Sequence, residues 1–300
     1  MNRATADICL LGIALIWGAA FVGQSAAMEH MGPFTFTGER FLLGALAVLP
    51  FAWVEGRRAK PVPRKRFLAL LGIGVVFFGG AASQQVGLLT TSVTNAGFLT
   101  ALYVVMVPAL AVIGAKLWPR FQAPVEFHGF VWPAAVLSLA GAFLLGGGQV
   151  DGLNTGDYLV ILGAIFWAIQ ILALSAMAVG MGRPITIAFM QYAVTAVLGL
   201  GAGFVFETPT LEGAIAIWPI LLYTGIVSGG FAFTLQAVAQ AHTPPADAAI
   251  LVSMEGLFAA AFGALLLGER LGLVGWSGAV LLLAAALLVQ LGPILKRSKA

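Results

Sequence analysis

Two charged side chains lie deep inside apolar segments that are long enough to cross a membrane, and they are the first candidates for chemistry. Arg40 lies in the segment 33–54, and Glu255 lies near the centre of the segment 245–267. A buried guanidinium can hold a carboxylate, and a buried carboxyl can bind a cation or exchange a proton. Arg40 either faces the protein interior or extends to the outer interface. Three roles are open for Glu255: a proton-coupling group, a counter-charge for a substrate amine, or a structural hydrogen-bonding group.

Aromatic and amide side chains at similar depth complete the candidate site. Trp normally prefers the membrane interface, so two Trp residues at the middle of their segments suggest a lined cavity, with packing between helices as the alternative. A Tyr hydroxyl at mid-depth needs a polar partner. Gln side chains offer neutral hydrogen bonds that suit the polar end of a zwitterion. The predicted substrate-binding residues are Trp17, Arg40, Gln84, Phe98, Tyr103, Trp167 and Gln191, with Glu255 as a coupling residue.

Sequence patterns of several enzyme classes are absent. The chain contains no Gly-x-x-x-x-Gly-Lys, no His-Glu-x-x-His and no Gly-x-Ser-x-Gly, which are the patterns of P-loop hydrolases, zinc proteases and serine hydrolases. Its three His residues lie at segment ends, and Cys9 is its one cysteine. We therefore expect binding and passage of a small molecule rather than catalysis, with no cofactor and no metal.

The composition requires lipid around the elements that position these residues. Hydrophobic residues make up 60% of the 300 residues, charged residues make up 9%, and the mean hydropathy is +1.00. A soluble domain cannot bury so large an apolar fraction. Apolar runs that can cross about 30 Å of hydrocarbon occur ten times, separated by Pro and polar clusters. They cover residues 7–27, 33–54, 66–88, 93–115, 128–147, 156–178, 184–206, 215–238, 245–267 and 271–293.

The chain repeats itself. The stretch ALIWGAAFVGQSAA (14–27) aligns with AIFWAIQILALSAM (164–177), which places Trp17 over Trp167. Each copy holds five spans, and an odd number inverts the second copy in the membrane. The sequence thus predicts an all-α membrane protein of ten transmembrane helices in two inverted five-helix repeats, residues 1–150 and 151–300. Because the two repeats complete one site, we expect a monomer.

The basic residues predict the orientation. Of the 15 Lys and Arg residues, all except Arg40 and Arg270 fall on the side of the amino terminus. The positive-inside rule then predicts a multi-pass protein whose two termini lie in the cytoplasm. We expect this protein in the cell inner membrane. The pI near 9.2 follows from this basic face, and it does not indicate nucleic-acid binding.

Several stretches resemble one transporter family across almost the whole chain. They are IWGAAFVGQ (16–24), ERFLLG (39–44), VGLLTTSVTNAGFLTAL (86–102) and LVSMEGLFAAAFGALLLGERL (251–271). The chain is similar to the EamA-type ten-helix exporters of the drug/metabolite transporter superfamily, which include the YddG-type exporters of aromatic amino acids.

The resemblance implies a secondary transporter that exports small metabolites, amino acids including aromatic ones, by alternating access. Spans five and ten would support a central cavity between the other eight. The alternative is a multidrug or lipophilic-cation exporter with Glu255 as the cation or proton partner. Small four-helix multidrug pumps, which are similar to half of this fold, depend on a carboxylate in their first helix. We expect spans one and six to carry none.

Overall fold

The computed structural model describes residues 1–58, 61–117, 129–149, 153–267 and 272–297, and most of these are helical. Nine helices within these ranges are long and apolar enough to cross a membrane, and a shorter apolar helix, Val131–Leu145, represents the fifth predicted span. This confirms the predicted all-α membrane architecture. The predicted starts of the fifth and tenth spans, at residues 128 and 271, lie outside the described residues, as does Arg270.

The helices follow the predicted spans closely. The first half contains α1 (Arg3–Ala27), α2 (Pro33–Arg57), α3 (Arg64–Gly87), α4 (Val93–Thr100), α5 (Tyr103–Leu117) and α6 (Val131–Leu145). The second half contains α7 (Thr155–Met181), α8 (Pro184–Phe206), α9 (Leu211–Ala216), α10 (Trp218–Leu222), a π-helical segment (Tyr223–Ala232), α11 (Phe233–Ala239), α12 (Pro245–Val252), α13 (Glu255–Leu267) and α14 (Leu273–Arg297).

Helix starts are set by local chemistry that occurs in both halves. Pro occupies the first turn of α2 and of α8, where its missing N–H costs nothing. Asn2 caps α1 and Asn154 caps α7, each with its side-chain oxygen accepting a backbone N–H of the first turn. These caps satisfy amide groups that no helical carbonyl can reach.

Two predicted spans are interrupted helices. The fourth span breaks between Thr100 and Tyr103, and the ninth breaks between Val252 and Glu255. A proline inside a helix can break or kink it, and Pro108 is the proline nearest to the break in the fourth span. Helix α5 instead continues through Pro108, and α13 begins after an equivalent break with no proline in it. The breaks are therefore a shared property of the two halves and not an effect of this proline.

Helices of one half pack on helices of the other, and the contact of α2 with α8 forms a seam between the halves. α2 packs on α8, α6 packs on α14, and the contact of α3 with α7 has its counterpart in the contact of the eighth span with α1. Gly38 and Gly199 meet in this seam near the start of α2, where a Cβ atom on Gly38 would lie 2.5 Å from the Leu200 amide nitrogen. Small residues permit this close backbone approach in membrane proteins.

Two carboxylates show that α2 and α8 run antiparallel. Glu207, which follows α8, accepts hydrogen bonds from the Phe34 and Thr35 amides at the start of α2, each 2.8 Å long. Glu55, near the end of α2, accepts from the Thr186 amide at the start of α8 at 2.6 Å. Equivalent helices of the two halves therefore run in opposite directions, as the odd number of spans predicts.

Candidate functional site

A cavity lies where the two halves meet. Its volume is about 50 Å³, which is room for only a few water molecules. Aromatic rings, amides, three hydroxyls, two charged groups and a few aliphatic side chains form its wall. The lining residues are Trp17, Phe21, Gln24, Arg40, Phe41, Ala81, Gln84, Thr100, Tyr103, Trp167, Gln170, Ile171, Ser228, Phe233, Gln236, Val252 and Glu255.

The structure brings most of the sequence-predicted residues to this wall. The six that line the cavity are Trp17, Arg40, Gln84, Tyr103, Trp167 and Glu255. They come from six different spans of the two halves, and their roles in binding or coupling stay predictions.

Phe98 and Gln191 lie elsewhere. Phe98 lines a separate apolar cavity and packs on Phe143, with ring centroids 5.5 Å apart. The break after Thr100 separates Phe98 from Tyr103, so the two do not share one continuous helical face. Gln191 is fully buried behind the wall, where its side-chain oxygen accepts a hydrogen bond from Gln170 at 2.9 Å. Gln170 is therefore the amide that reaches the cavity on this side.

Arg40 faces inward, which is one of the two orientations left open by the sequence. Its side chain is 5% exposed, and one terminal nitrogen donates to the Gln24 side-chain oxygen at 2.6 Å. The guanidinium carbon lies 4.6 Å from the Phe41 ring centroid, which is a cation–π distance. In the described part of the chain Arg40 forms no ion pair, and its Nε has no hydrogen-bond partner. The guanidinium can therefore accept an anionic group from a ligand.

Tyr103 and Glu255 meet across the two helix breaks. The Tyr103 hydroxyl donates to a carboxyl oxygen of Glu255 at 3.1 Å, and the two residues are 152 positions apart. Each is the first residue of the helix that follows its break. A carboxylate is favoured at a helix start because the first backbone N–H groups lack helical acceptors. This arrangement joins the two halves through one hydrogen bond at the cavity wall.

The two mid-depth Trp residues form an aromatic wall but use their indole N–H groups differently. Trp167 donates to the side-chain oxygen of Gln84 at 3.0 Å, whereas Trp17 donates to the backbone carbonyl of Ser228 at 3.2 Å. Phe233 lies between them, with ring centroids 4.3 Å from Trp17 and 5.8 Å from Trp167. Such a wall suits a flat apolar group.

Two aspartates form hydrogen bonds at the ends of the bundle, and sequence reasoning missed them. Asp7 in the first turns of α1 accepts from the Thr243 hydroxyl at 2.7 Å, and Asp157 in the first turn of α7 accepts from the Thr91 hydroxyl at 3.0 Å. The expectation that spans one and six carry no carboxylate is therefore wrong. The signal was present, because each aspartate precedes its Trp, Trp17 or Trp167, by the same distance.

These contacts lie at opposite ends of the molecule. α1 starts at the same end as the carboxyl end of α11, whereas α7 starts at the carboxyl end of α3. At the α1 end, the Arg3 guanidinium also contacts the Asp247 carboxylate. At the α7 end, the Asn154 side chain also donates to the Thr90 carbonyl at 3.0 Å. Two matching polar contacts, which we call closures, thus lie at opposite ends of the molecule, and none of their residues lines the cavity.

Comparison with known proteins agrees with this architecture. The sequence model of the EamA-like transporter family matches twice, over residues 4–147 and 154–291. An uncharacterized transporter from Archaeoglobus fulgidus is 33% identical over 292 residues, which cover 97% of this chain and 87% of that protein. The uncharacterized inner membrane transporter YedA of Escherichia coli K12 is 24% identical, with 97% and 92% covered.

A solved structure shares the fold. A chain described only as "Crystal structure of protein" superposes with a TM-score of 0.78 at 17% identity, and the match covers 97% of this chain and 98% of that one. The two family matches together span nearly the whole sequence. The chain is a multi-pass membrane protein and a secondary transporter, not an enzyme, and it belongs to the EamA-like transporter family.

Proposed function

We propose that the protein exports small metabolites from the cytoplasm by alternating access, and that its substrates are amino acids, including aromatic ones. The observation that carries this proposal is the charge content of the cavity: Arg40 and Glu255 are the two charged residues of its wall. An amino acid carries one charge of each sign and so matches this pair. The aromatic wall of Trp17, Phe233 and Trp167 suits its side chain.

The closures support the transport mechanism. A cavity of about 50 Å³ is too small for an amino acid, so it must widen when either end opens. Asp7 and Thr243 would separate to admit substrate at one end, and Asp157 and Thr91 would separate to release it at the other. Each closure consists of a few side-chain contacts, with the Arg3–Asp247 ion pair at the α1 end and the Asn154–Thr90 hydrogen bond at the α7 end, and water can replace them on opening.

The proposal also includes the orientation, the membrane and the assembly of the protein. Both termini lie in the cytoplasm, the protein resides in the inner membrane, and two repeats, 1–150 and 151–300, work as one monomer. With this orientation the Asp7 closure faces the cytoplasm. The likeness to YddG-type exporters supports aromatic substrates.

Uptake into proteoliposomes tests the proposal. Labelled phenylalanine, tryptophan and threonine are offered with and without an imposed pH gradient, and empty liposomes provide the background. Uptake above background supports an amino-acid carrier. Uptake that ignores the gradient assigns Glu255 a structural or substrate-binding role, whereas uptake only with the gradient makes Glu255 the coupling residue. Failure of all three substrates in sealed vesicles that contain folded protein contradicts the proposal.

A second candidate is export of lipophilic cations. Glu255 and the aromatic rings around it favour this reading, because a carboxylate and π faces both attract cations. Arg40 in the same wall opposes it by like-charge repulsion. The variant Glu255→Gln separates the two candidates. Loss of cation efflux with amino-acid efflux retained supports the cation exporter.

A further inference from the structure

Several buried polar atoms of the cavity wall have no hydrogen-bond partner within the described ranges. They belong to five residues of both halves, and each is a group that a ligand can satisfy. The atoms are Arg40 Nε, Thr100 Oγ1, Gln170 Oε1, Ser228 Oγ and Gln236 Oε1. All five residues border one small cavity, so a polar ligand bound there would lie beside them.

Gln236 is the most informative of them because its counterpart in the other half is satisfied. Gln84 and Gln236 are separated by the same number of residues as Tyr103 and Glu255, so they occupy equivalent positions. Gln84 accepts the indole N–H of Trp167 at 3.0 Å. The equivalent indole, that of Trp17, donates to the Ser228 carbonyl instead.

The π-helical segment accounts for this difference. The third span is one regular helix, Arg64–Gly87, but the eighth contains the segment Tyr223–Ala232, in which Ser228 lies. π-helical turns change the backbone hydrogen-bond register and occur frequently at functional sites. Here the segment offers the Trp17 indole a backbone carbonyl. Gln236, which is only 2% exposed, lines the cavity, and its amide oxygen is left without a partner in the described structure.

Glu255 supplies the negative charge of the same wall. Its carboxyl oxygens accept hydrogen bonds when ionised, as does the amide oxygen of Gln236. A ligand group that satisfies both must carry several N–H donors and a positive charge. A primary ammonium group has three such donors, whereas Arg40 can only donate and so selects the opposite charge.

We propose that Gln236 and Glu255 form the subsite for the primary ammonium group of the substrate, with Arg40 holding its carboxylate. This inference rests on the proposed amino-acid transport and deepens it. Gln236 then discriminates between amines and their analogues without N–H donors, because a buried acceptor left empty is penalised. Sequence reasoning places Gln236 only among the glutamines that suit the polar end of a zwitterion, and it assigns this residue neither a partner nor the ammonium group.

Binding of two matched ligands to purified full-length protein tests the subsite. Phenylalanine has both charges, and 3-phenylpropionate lacks only the ammonium group. Isothermal titration of Gln236→Leu should show affinity for phenylalanine reduced about 10- to 100-fold, the range for a hydrogen bond to a charged group. Affinity for 3-phenylpropionate should change less than about twofold, because that ligand leaves the subsite empty in both proteins.

The matched control is Gln240→Leu, one helical turn further along. Gln240 is also buried, both of its side-chain amide atoms lack partners in the described structure, and it is not part of the cavity wall. This variant should bind both ligands as the wild type does. Gln236→Glu, which keeps an acceptor oxygen, should retain phenylalanine binding, so it tests the subsite even if the Leu variant fails to fold.

The outcomes separate the two proposals. If Gln236→Leu weakens both ligands equally, or weakens neither, the ammonium subsite is wrong although amino-acid transport stands. Loss of phenylalanine binding in Gln236→Glu would also overturn it. If the folded wild-type protein binds neither ligand, the proposed function fails, and the subsite fails with it.

Discussion

The contacts that frame the molecule occur twice, whereas the contacts that line its cavity do not. Asp7 with Thr243 and Asp157 with Thr91 are the same carboxylate–hydroxyl pair at opposite ends. At the cavity, the Trp167 indole reaches a side chain and the Trp17 indole reaches the backbone. Under the proposed alternating access, two equivalent closures would open in turn, whereas an asymmetric substrate would require a wall whose two sides differ.

The charges of the cavity follow the same logic. Arg40 is the eighth residue of α2, and the eighth residue of α8 is Gln191. Likewise Glu255 begins α13, where Tyr103 begins α5. Each half therefore contributes one charge and one neutral counterpart. A zwitterion held at both poles would bridge the two halves, so binding would act directly on their relative position.

Locking either closure should produce the largest effect. In a Cys9→Ala background, Asp7→Cys with Thr243→Cys places two thiols at the α1 end, and Asp157→Cys with Thr91→Cys does so at the α7 end. A short bifunctional thiol reagent should abolish transport in both pairs equally, because alternating access needs both ends to open. Proteoliposome uptake measures this, with the reduced, unlinked protein as its own control. Persistent uptake by fully cross-linked protein would contradict alternating access through these closures.

Removing the asymmetry of charge comes next. Arg40→Gln gives α2 the residue found at the equivalent position of α8, and it should lower affinity for phenylalanine about 100-fold by removing a charged bidentate donor. Arg40→Lys keeps the charge but not the planar fork, so its loss should be about tenfold. Phenethylamine, which lacks the carboxylate, serves as the ligand control. An equal loss for phenethylamine would show that Arg40 maintains the structure instead of holding the carboxylate.

The sequence predicted the helices and their repeat better than the cavity wall, because the two depend on different physics. Span positions follow from apolar length, and the alignment of Trp17 with Trp167 revealed the repeat. Depth in a span, with residue type, brought Arg40 and Glu255 into one set of candidates.

What the sequence did not predict depends on tertiary geometry. The breaks before Tyr103 and Glu255 carry no proline at the break itself, so Phe98 was extrapolated along a helix that is not continuous. Gln236 was not singled out because its free oxygen results from where the Trp17 indole points. Asp7 and Asp157 stood near span ends, where charged residues are ordinary.

Overpacking the seam between α2 and α8 should cost stability and not change substrate selectivity. A Cβ atom on Gly38 would lie 2.5 Å from a backbone nitrogen that cannot move away, whereas one on Gly201 meets nothing within 4 Å. We expect Gly38→Ala to destabilise the protein by about 1–3 kcal/mol. Gly201→Ala, in the same pair of helices, should be neutral or slightly stabilising. Melting temperatures in detergent compare the two variants. Equal values would show that the seam can relax to accommodate a Cβ atom on Gly38.

The smallest effects should come from the two helix caps of the same seam, one from each half. Glu55 and Glu207 each accept two backbone amides and one Thr hydroxyl at the start of the opposite helix. Glu→Gln at either site keeps one acceptor oxygen and removes the charge, so each should cost about 1 kcal/mol. Because the caps lie at opposite ends of the helices, the double variant should show the sum of the two. Melting curves of both single variants and the double variant measure this. Unequal single effects would mean that the two caps do not contribute equally to stability. A double effect well beyond the sum would mean that the two ends of the α2–α8 contact are lost together.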